Sequence, residues 1–346
     1  MREVLSDIER WISEGKEVAI AKVISTWGSS PRGVGANLAI SSAREMSGSV
    51  SGGCVEGAVV EVGLDVLRSK KPRLLQFGVG DETAMGIGLA CGGQIEVFIS
   101  QLDVDLFTTL HKELSAERQV VQAIVIRGPQ EMLGKTIILR QDGGVSGTIP
   151  TEFVALVIRL AHEAFESGRH LRKVVKSPSP EEVAIEVFVE VIPPRPRLII
   201  VGGVHVSIAL VNLARTLGFY TIVVDPRRAF GSPERFLQAD ELLQVWPEEA
   251  LKDMPLTTST AVVMLTHDPK IDDPALKVVL NSPAFYVGAL GSRKTHRERC
   301  QRLVRAGLNL EQLERIHSPI GLDIGAQKPE EIALAIMGEI VAAQNR

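Results

Sequence analysis

The sequence predicts an α/β protein with two parts: an N-terminal α+β domain made of two related halves, and a C-terminal doubly wound parallel sheet. Three observations carry this. First, an offset of 99 residues aligns Gly35-Ala36-Asn37-Leu38-Ala39-Ile40 and Gly48-Ser49-Val50 with Gly134-Lys135-Thr136-Ile137-Ile138-Leu139 and Gly147-Thr148-Ile149. Each copy runs into an apolar-periodic helix, 55–67 or 154–165, and closes on the same tetrapeptide, Ile95-Glu96-Val97-Phe98 or Ile185-Glu186-Val187-Phe188. Second, beyond Pro193-Pro194-Arg195-Pro196 the pattern changes to short apolar runs alternating with helical segments, the mark of buried parallel strands. Third, Gly202-Gly203-Val204-His205-Val206-Ser207 follows the first of those runs and opens a helix, and Asp225 ends the next run. That layout predicts a Rossmann-like unit.

In chain order, Val4, Ile8, Trp11 and Ile12 mark an amphipathic helix ending near Gly15, with charges where a signal peptide would need its apolar stretch. The halves are expected at about 18–101 and 119–191 within a domain of residues 1–192, the linker at 193–197 and the second domain at 198–346. The expected parallel strands are Leu198-Ile199-Ile200-Val201, Thr221-Ile222-Val223-Val224, Ala261-Val262-Val263-Met264-Leu265 and Phe285-Tyr286-Val287-Gly288. The longest run without Asp, Glu, Lys or Arg, 198–214, is too short and too polar to span a membrane.

With 346 residues, 45% hydrophobic and 23% charged, the chain is long enough for a full core and too apolar for disorder. A net charge of -4 leaves no basic field for nucleic acid. Three cysteines in such a length argue for free thiols in the cytoplasm rather than a disulfide framework.

Of 31 glycines, 14 lie between Gly28 and Gly93, together with two cysteines, each beside a glycine pair: Ser51-Gly52-Gly53-Cys54 and Cys91-Gly92-Gly93. The second copy provides an internal control. Cys54 aligns with Phe153, and neither the glycine pair nor the thiol recurs, so the fold does not require them. A thiol before a helix is expected to be a competent thiolate, able to bind a soft metal, accept sulfur or attack a carbonyl. The competing expectation is two small cysteines buried in tight turns. Zinc-ribbon spacing is absent. Gly28-Ser29-Ser30-Pro31-Arg32-Gly33 has the composition of an anion cradle.

In the second domain the turn departs from a dinucleotide fingerprint at Val204, so a nucleotide-like ligand and plain strand-to-helix packing both stay open. Arg227 and Arg228 follow Asp225 and would suit a 2′-phosphate or solvent. His267 and Asp268 could pair as base and orienter, bind a metal, or cap a turn. Gly291, Ser292 and Arg293 at a helix start would suit a phosphate.

Gly28-Ser29-Ser30-Pro31-Arg32, Gly48-Ser49-Val50-Ser51-Gly52-Gly53-Cys54-Val55-Glu56, Gly88-Leu89-Ala90-Cys91-Gly92-Gly93, Asp225-Pro226-Arg227, Leu265-Thr266-His267-Asp268, Gly288-Ala289-Leu290-Gly291-Ser292-Arg293 and Pro319-Ile320-Gly321-Leu322-Asp323 together resemble the signature series of the XdhC/CoxI family. The resemblance runs in order over nearly the whole chain. It implies a non-enzymatic accessory protein that binds molybdenum cofactor (molybdopterin), supports its sulfuration with a cysteine desulfurase, and inserts it into an apo molybdenum hydroxylase such as xanthine dehydrogenase. It implies cofactor contacts from Ser29, Arg32, Ser49, Ser51, Gly52, Gly53, Cys54, Glu56, Cys91, Gly92 and Gly93, with Cys54 as molybdenum ligand. A homodimer is expected. The alternative is an NAD(P)-dependent oxidoreductase using the Rossmann-like domain, where Gly202, Gly203, His205, Asp225, Arg227, His267, Asp268, Gly291, Ser292 and Arg293 are expected to form a crevice for a nucleotide or a pterin.

Overall fold

The computed structural model describes residues 1–78, 92–177 and 183–345. The chain divides into two compact units, Met1–Pro194 and Arg195–Arg346.

The first unit starts with α1 (Leu5–Ser13), followed by β1 (Val18–Trp27), β2 (Asn37–Ser41), β3 (Met46–Gly48), α2 (Glu56–Ser69), β4 (Arg73–Phe77) and β5 (Gln94–Gln101). After α3 (Val104–Ser115) the series repeats as β6 (Val120–Arg127), β7 (Thr136–Arg140), β8 (Val145–Gly147), α4 (Thr151–Ser167), β9 (Leu171–Lys176) and β10 (Ala184–Ile192). The first five strands form a sheet in the order β3-β2-β1-β5-β4, and the second five form β8-β7-β6-β10-β9, so the duplication read from short motifs is a duplication of topology. It extends to the register. Lys22 lies opposite Asn37 and Phe98, and Ile124 opposite Thr136 and Phe188. A bulge falls between Val23 and Ser25 in one copy and at the equivalent Val125 and Arg127 in the other.

Strand alternation sorts the residues into layers. Ala19, Ala21, Val23, Val97 and Ile99 pack against α2 through Val59, Val66 and Leu67, and Val121, Ala123, Val125, Val187 and Val189 pack against α4 through Phe153, Val157 and Ala161. The alternate residues Ile24, Phe98, Ile124, Ile126 and Phe188 join the two sheets face to face, giving helix, sheet, sheet, helix. Burying each of these large side chains contributes about 1.5–3 kcal/mol. At one edge of that seam the equivalent carboxylates Glu96 and Glu186 are both bound by Arg172 and Arg127.

The second unit contains β11 (Arg197–Val201), α5 (His205–Thr216), β12 (Tyr220–Val224), β13 (Glu241–Leu243), α6 (Pro247–Asp253), β14 (Thr260–Met264), α7 (Pro269–Val279), β15 (Tyr286–Ala289), α8 (Arg293–Arg305), α9 (Leu310–Glu314), β16 (Ile316–His317) and α10 (Pro329–Gln344). All six strands are parallel, in the order β13-β12-β11-β14-β15-β16. Counted within the unit this is 3-2-1-4-5-6, the Rossmann order. The four expected strands are present. The short outer strands β13 and β16 are additions that the apolar runs did not announce. Among the described residues no helix is long and apolar enough to cross a membrane.

Candidate functional site

Three glycine-bearing segments converge beside the first sheet. Gly28 has a φ of +72°, and a Cβ on it would touch the Cα of Gly93 at 3.5 Å, while a Cβ on Gly93 has no room over the Ser29 carbonyl. A Cβ on Gly52 would lie 3.4 Å from Pro31, and Arg32 Nε donates to the Ser49 carbonyl at 3.3 Å. The segments 28–32, 49–55 and 92–93 therefore meet through close backbone approach, which explains why glycine is concentrated there. Cys91 and Gly88-Leu89-Ala90 lie outside the described residues.

The loop between β3 and α2 wraps around the Glu56 carboxylate. Its Oε1 accepts from Ser49 Oγ at 2.6 Å and from the backbone N–H groups of Val50, Ser51 and Gly52 at 3.2, 2.9 and 3.1 Å. Its Oε2 accepts from Ser51 Oγ at 2.5 Å, Gly53 N–H at 2.9 Å and Val55 N–H at 3.3 Å. Burial works against ionisation, but the hydroxyls of Ser49 and Ser51 and the loop amides outweigh it and hold the Glu56 carboxyl down at about 2. This is a backbone anion nest filled by the protein's own carboxylate.

Two expectations are corrected by this arrangement. The amides expected to favour a Cys54 thiolate are directed at Glu56, and Cys54 lies just before the Val55 N-cap of α2. The expected cationic cradle is already neutralised, because the Arg32 guanidinium is paired with Glu3. What the nest does instead is fix the loop backbone and present Cys54 outward. The thiol is exposed, against the expectation of a small buried cysteine, and no described residue bonds to it. An open groove of about 750 Å³ runs along Gly52, Gly53, Glu56 and Gly57. In the second copy α4 starts at Thr151, and Phe153 fills the core at the position equivalent to Cys54.

In the second unit the sequence-predicted residues lie at the carboxyl ends of the parallel strands: Gly202 and Gly203 after β11, Asp225 after β12, His267 and Asp268 after β14, and Gly291 to Arg293 after β15. Asp225 is fully buried and saturated. Its carboxylate accepts from Gly203 N–H at 2.8 Å, Arg227 N–H at 2.9 Å, Arg227 Nε at 2.9 Å and Arg227 Nη2 at 2.7 Å. Burial opposes ionisation there too, and the Arg227 side chain overcomes it, so the carboxyl sits below its ordinary range. The expectation that Arg227 waits beside a ribose is corrected: it is bound to Asp225 and lies over the Phe230 ring at 4.1 Å. The Phe230 backbone packs on Gly203, and Arg235 Nη1 donates to the carbonyls of both, at 2.8 Å each.

Asp268 caps α7 by accepting from Lys270 N–H at 2.9 Å, and His267 is exposed with a φ of +64°. The pair acts as turn and cap, not as base and orienter. Ser292 caps α8 through Thr295 N–H at 3.2 Å, and Arg293 is exposed. Among the described residues no three His, Cys, Asp or Glu side chains cluster to hold a metal ion. His205 is the first residue of α5, four residues beyond the carboxyl end of β11.

Some groups escaped the sequence reading. Glu339 accepts from Tyr286 Oη at 2.6 Å and Gly321 N–H at 2.7 Å and lies 3.0 Å from His317 Nδ1, tying α10 to the 318–321 turn. Buried Lys22 pairs with buried Glu190 across the two sheets. The signal for that pair was present as charged residues, Lys22 in β1 and Glu190 in β10, inside largely apolar strands.

A duplicated double-sheet unit in which one copy alone carries the Gly52-Gly53-Cys54 loop, joined to a unit with the Rossmann strand order, defines a two-part protein. A family model described as "XdhC and CoxI family" matches residues 11–78, and one described as "XdhC Rossmann domain" matches residues 198–340. The chain belongs to the XdhC/CoxI family. It is 26% identical over 344 residues to a protein of Bacillus subtilis named as a probable subunit of xanthine dehydrogenase, covering 98% of this chain and 97% of that one. It is also 26% identical over 345 residues to the molybdenum cofactor insertion chaperone PaoD of Escherichia coli, covering 99% and 88%. A crystal structure titled as a xanthine dehydrogenase from Bacillus halodurans matches with a TM-score of 0.77 at 25% identity, over 99% of this chain and 95% of that one.

Proposed function

We propose that this protein is a molybdenum cofactor carrier that supports sulfuration of the cofactor and inserts it into an apo molybdenum hydroxylase of the xanthine dehydrogenase type. The observation that carries the reading is the exposed Cys54 thiol on a loop locked by Glu56 and present in one copy of the duplication only. A thiolate is a soft ligand suited to molybdenum, and a rigid loop costs little ordering entropy on binding. The relatives named as a cofactor insertion chaperone and as part of a xanthine dehydrogenase support the same role. A cysteine desulfurase and the apo-hydroxylase are the partners this role requires, a cytoplasmic location fits it, and a homodimer is its proposed assembly. In this reading the protein performs no catalysis of its own.

An NAD(P)-dependent oxidoreductase would need the Asp225 carboxylate to reach a ribose, and that carboxylate is fully taken by Gly203 and Arg227. Molybdenum cofactor released from a hydroxylase and mixed with the purified protein is expected to stay bound through gel filtration, measured as co-eluting molybdenum and pterin. Cys54→Ala, an exposed change that leaves the fold intact, is expected to lose the molybdenum. Equal retention by the variant would remove Cys54 from the mechanism.

A further inference from the structure

Helix α8 of the Rossmann unit carries a charge pattern that the fold does not require. Six of its 13 residues are arginine or lysine, on a chain whose net charge is -4. Two of the six are used within the protein. Arg299 is buried and donates to the Leu290 carbonyl at 2.8 Å, and Arg302 pairs with Asp273 at 2.6 Å. The other four, Arg293, Lys294, Arg297 and Arg305, are exposed and make no side-chain hydrogen bond or ion pair among the described residues. Helical geometry places these four within about 120° of the circumference and spreads them over about 18 Å of the axis. Gln301 and Val304, the latter 49% exposed, lie in the same arc, while Arg299 and Leu303 are buried on the other side.

Local physics works against the pattern. Arg293 and Lys294 stand in the first turn, where the helix dipole favours acids, and α3, α6, α7 and α10 do place acids there. Arg293 and Arg297 repel each other at i,i+4, and Lys294 and Arg297 at i,i+3. Glu298 borders the arc as the one exposed acid of the helix and forms no ion pair among the described residues. Local preferences set aside together at one place point to a use outside the fold.

We infer that the exposed face of α8 docks an acidic surface patch of another protein. Charge complementarity sets the sign of the partner. Three of the four free cations are arginine, whose planar fork meets a carboxylate with two parallel hydrogen bonds. Val304 among them supplies the apolar centre inside a charged rim that protein interfaces share. Nucleic acid fits less well, because α8 has no Phe, Tyr or Trp to stack a base and the net charge of the chain repels a long polyanion. The inference concerns the Rossmann unit and rests neither on the carrier role nor on Cys54.

A labelled glutamate-rich peptide mixed with the full chain and followed by fluorescence anisotropy tests the face. It is expected to bind at about 0.05 M salt and to weaken at about 0.3 M, because exposed charges are screened. Arg297→Glu combined with Arg305→Glu, both exposed changes, should weaken binding at least about tenfold. Arg293→Glu should weaken it severalfold while raising the melting temperature, since it puts an acid in the first turn and opposite Arg297 at i,i+4. Lys135→Glu, at an exposed lysine of the first unit, should leave binding unchanged. Failure of the wild type to bind the peptide, or equal binding by the double variant, would overturn the inference. Tighter binding of a single-stranded oligonucleotide of equal charge would overturn it in favour of nucleic acid. Conversion of a wild-type dimer to monomer by the double substitution, read by light scattering, would overturn it in favour of a second copy of the chain.

Discussion

Glu56 holds its loop by accepting seven hydrogen bonds, and its ionisation is therefore coupled to folding. Its folded carboxyl titrates at about 2 against 4.5 in the unfolded chain. A carboxyl depressed in this way adds stability that is fully present above pH 4.5 and lost as pH falls towards 2. The melting temperature of the wild type is expected to drop across that window, and Glu56→Gln should flatten the drop while costing about 2–3 kcal/mol at pH 7 through its lost charge-assisted bonds. Denaturant melts at pH 7 and thermal melts from pH 5 to 2 measure both effects. Parallel pH slopes for the two proteins would show that the nest does not depend on the charge. At this scale the sequence was informative about position and misleading about partners. Glycine spacing located the loop, yet the anion it cradles is its own glutamate, because a nest of amides accepts whichever carboxylate the following helix delivers.

At the level of elements, the legible parts were those with strong periodicity: both copies' helices and the four central parallel strands. β13 and β16 escaped because three and two residues cannot display an alternation. The loop after β12 escaped for another reason. Asp225 was identifiable from its spacing to Gly202, but its capture by Arg227 depends on a turn in which Arg227 folds back two residues, and on Phe230 closing over Gly203. This loop is fastened to the turn between β11 and α5 by the Asp225 carboxylate, which Arg227 holds, and by Arg235. Arg227→Ala leaves that buried carboxylate with its backbone donors alone, and the expected loss is about 2 kcal/mol, reduced from the cost of a fully buried pair because Arg227 is partly exposed. Arg227→Lys should recover only part of it, since one ammonium cannot reproduce the guanidinium's two-pronged contact. Urea midpoints of the three proteins decide the matter, and a lysine variant equal to wild type would mean that charge alone fastens the loop.

For the whole molecule, the repeat found at an offset of 99 residues understated what was duplicated. Two strands per copy were invisible as matches, yet strand order, register and bulge position are shared. Equivalence is kept at the seam residues Ile24, Ile126, Phe98 and Phe188 and lost at Cys54, so comparing the two copies separates what the shared fold requires from what it does not. It also bears on how the chain is divided. Each unit has its own apolar clusters, the first unit pairing its sheets with each other and the second burying both faces of its parallel sheet. We propose that residues 1–192 and 198–346 fold independently, with 193–197 as linker, because among the described residues each unit buries its sheets within its own apolar clusters. Expressed separately, each fragment is expected to unfold cooperatively, and only the first, which carries the exposed Cys54 thiol, should retain molybdenum cofactor through gel filtration. A first fragment that lacks cooperative unfolding would refute the division.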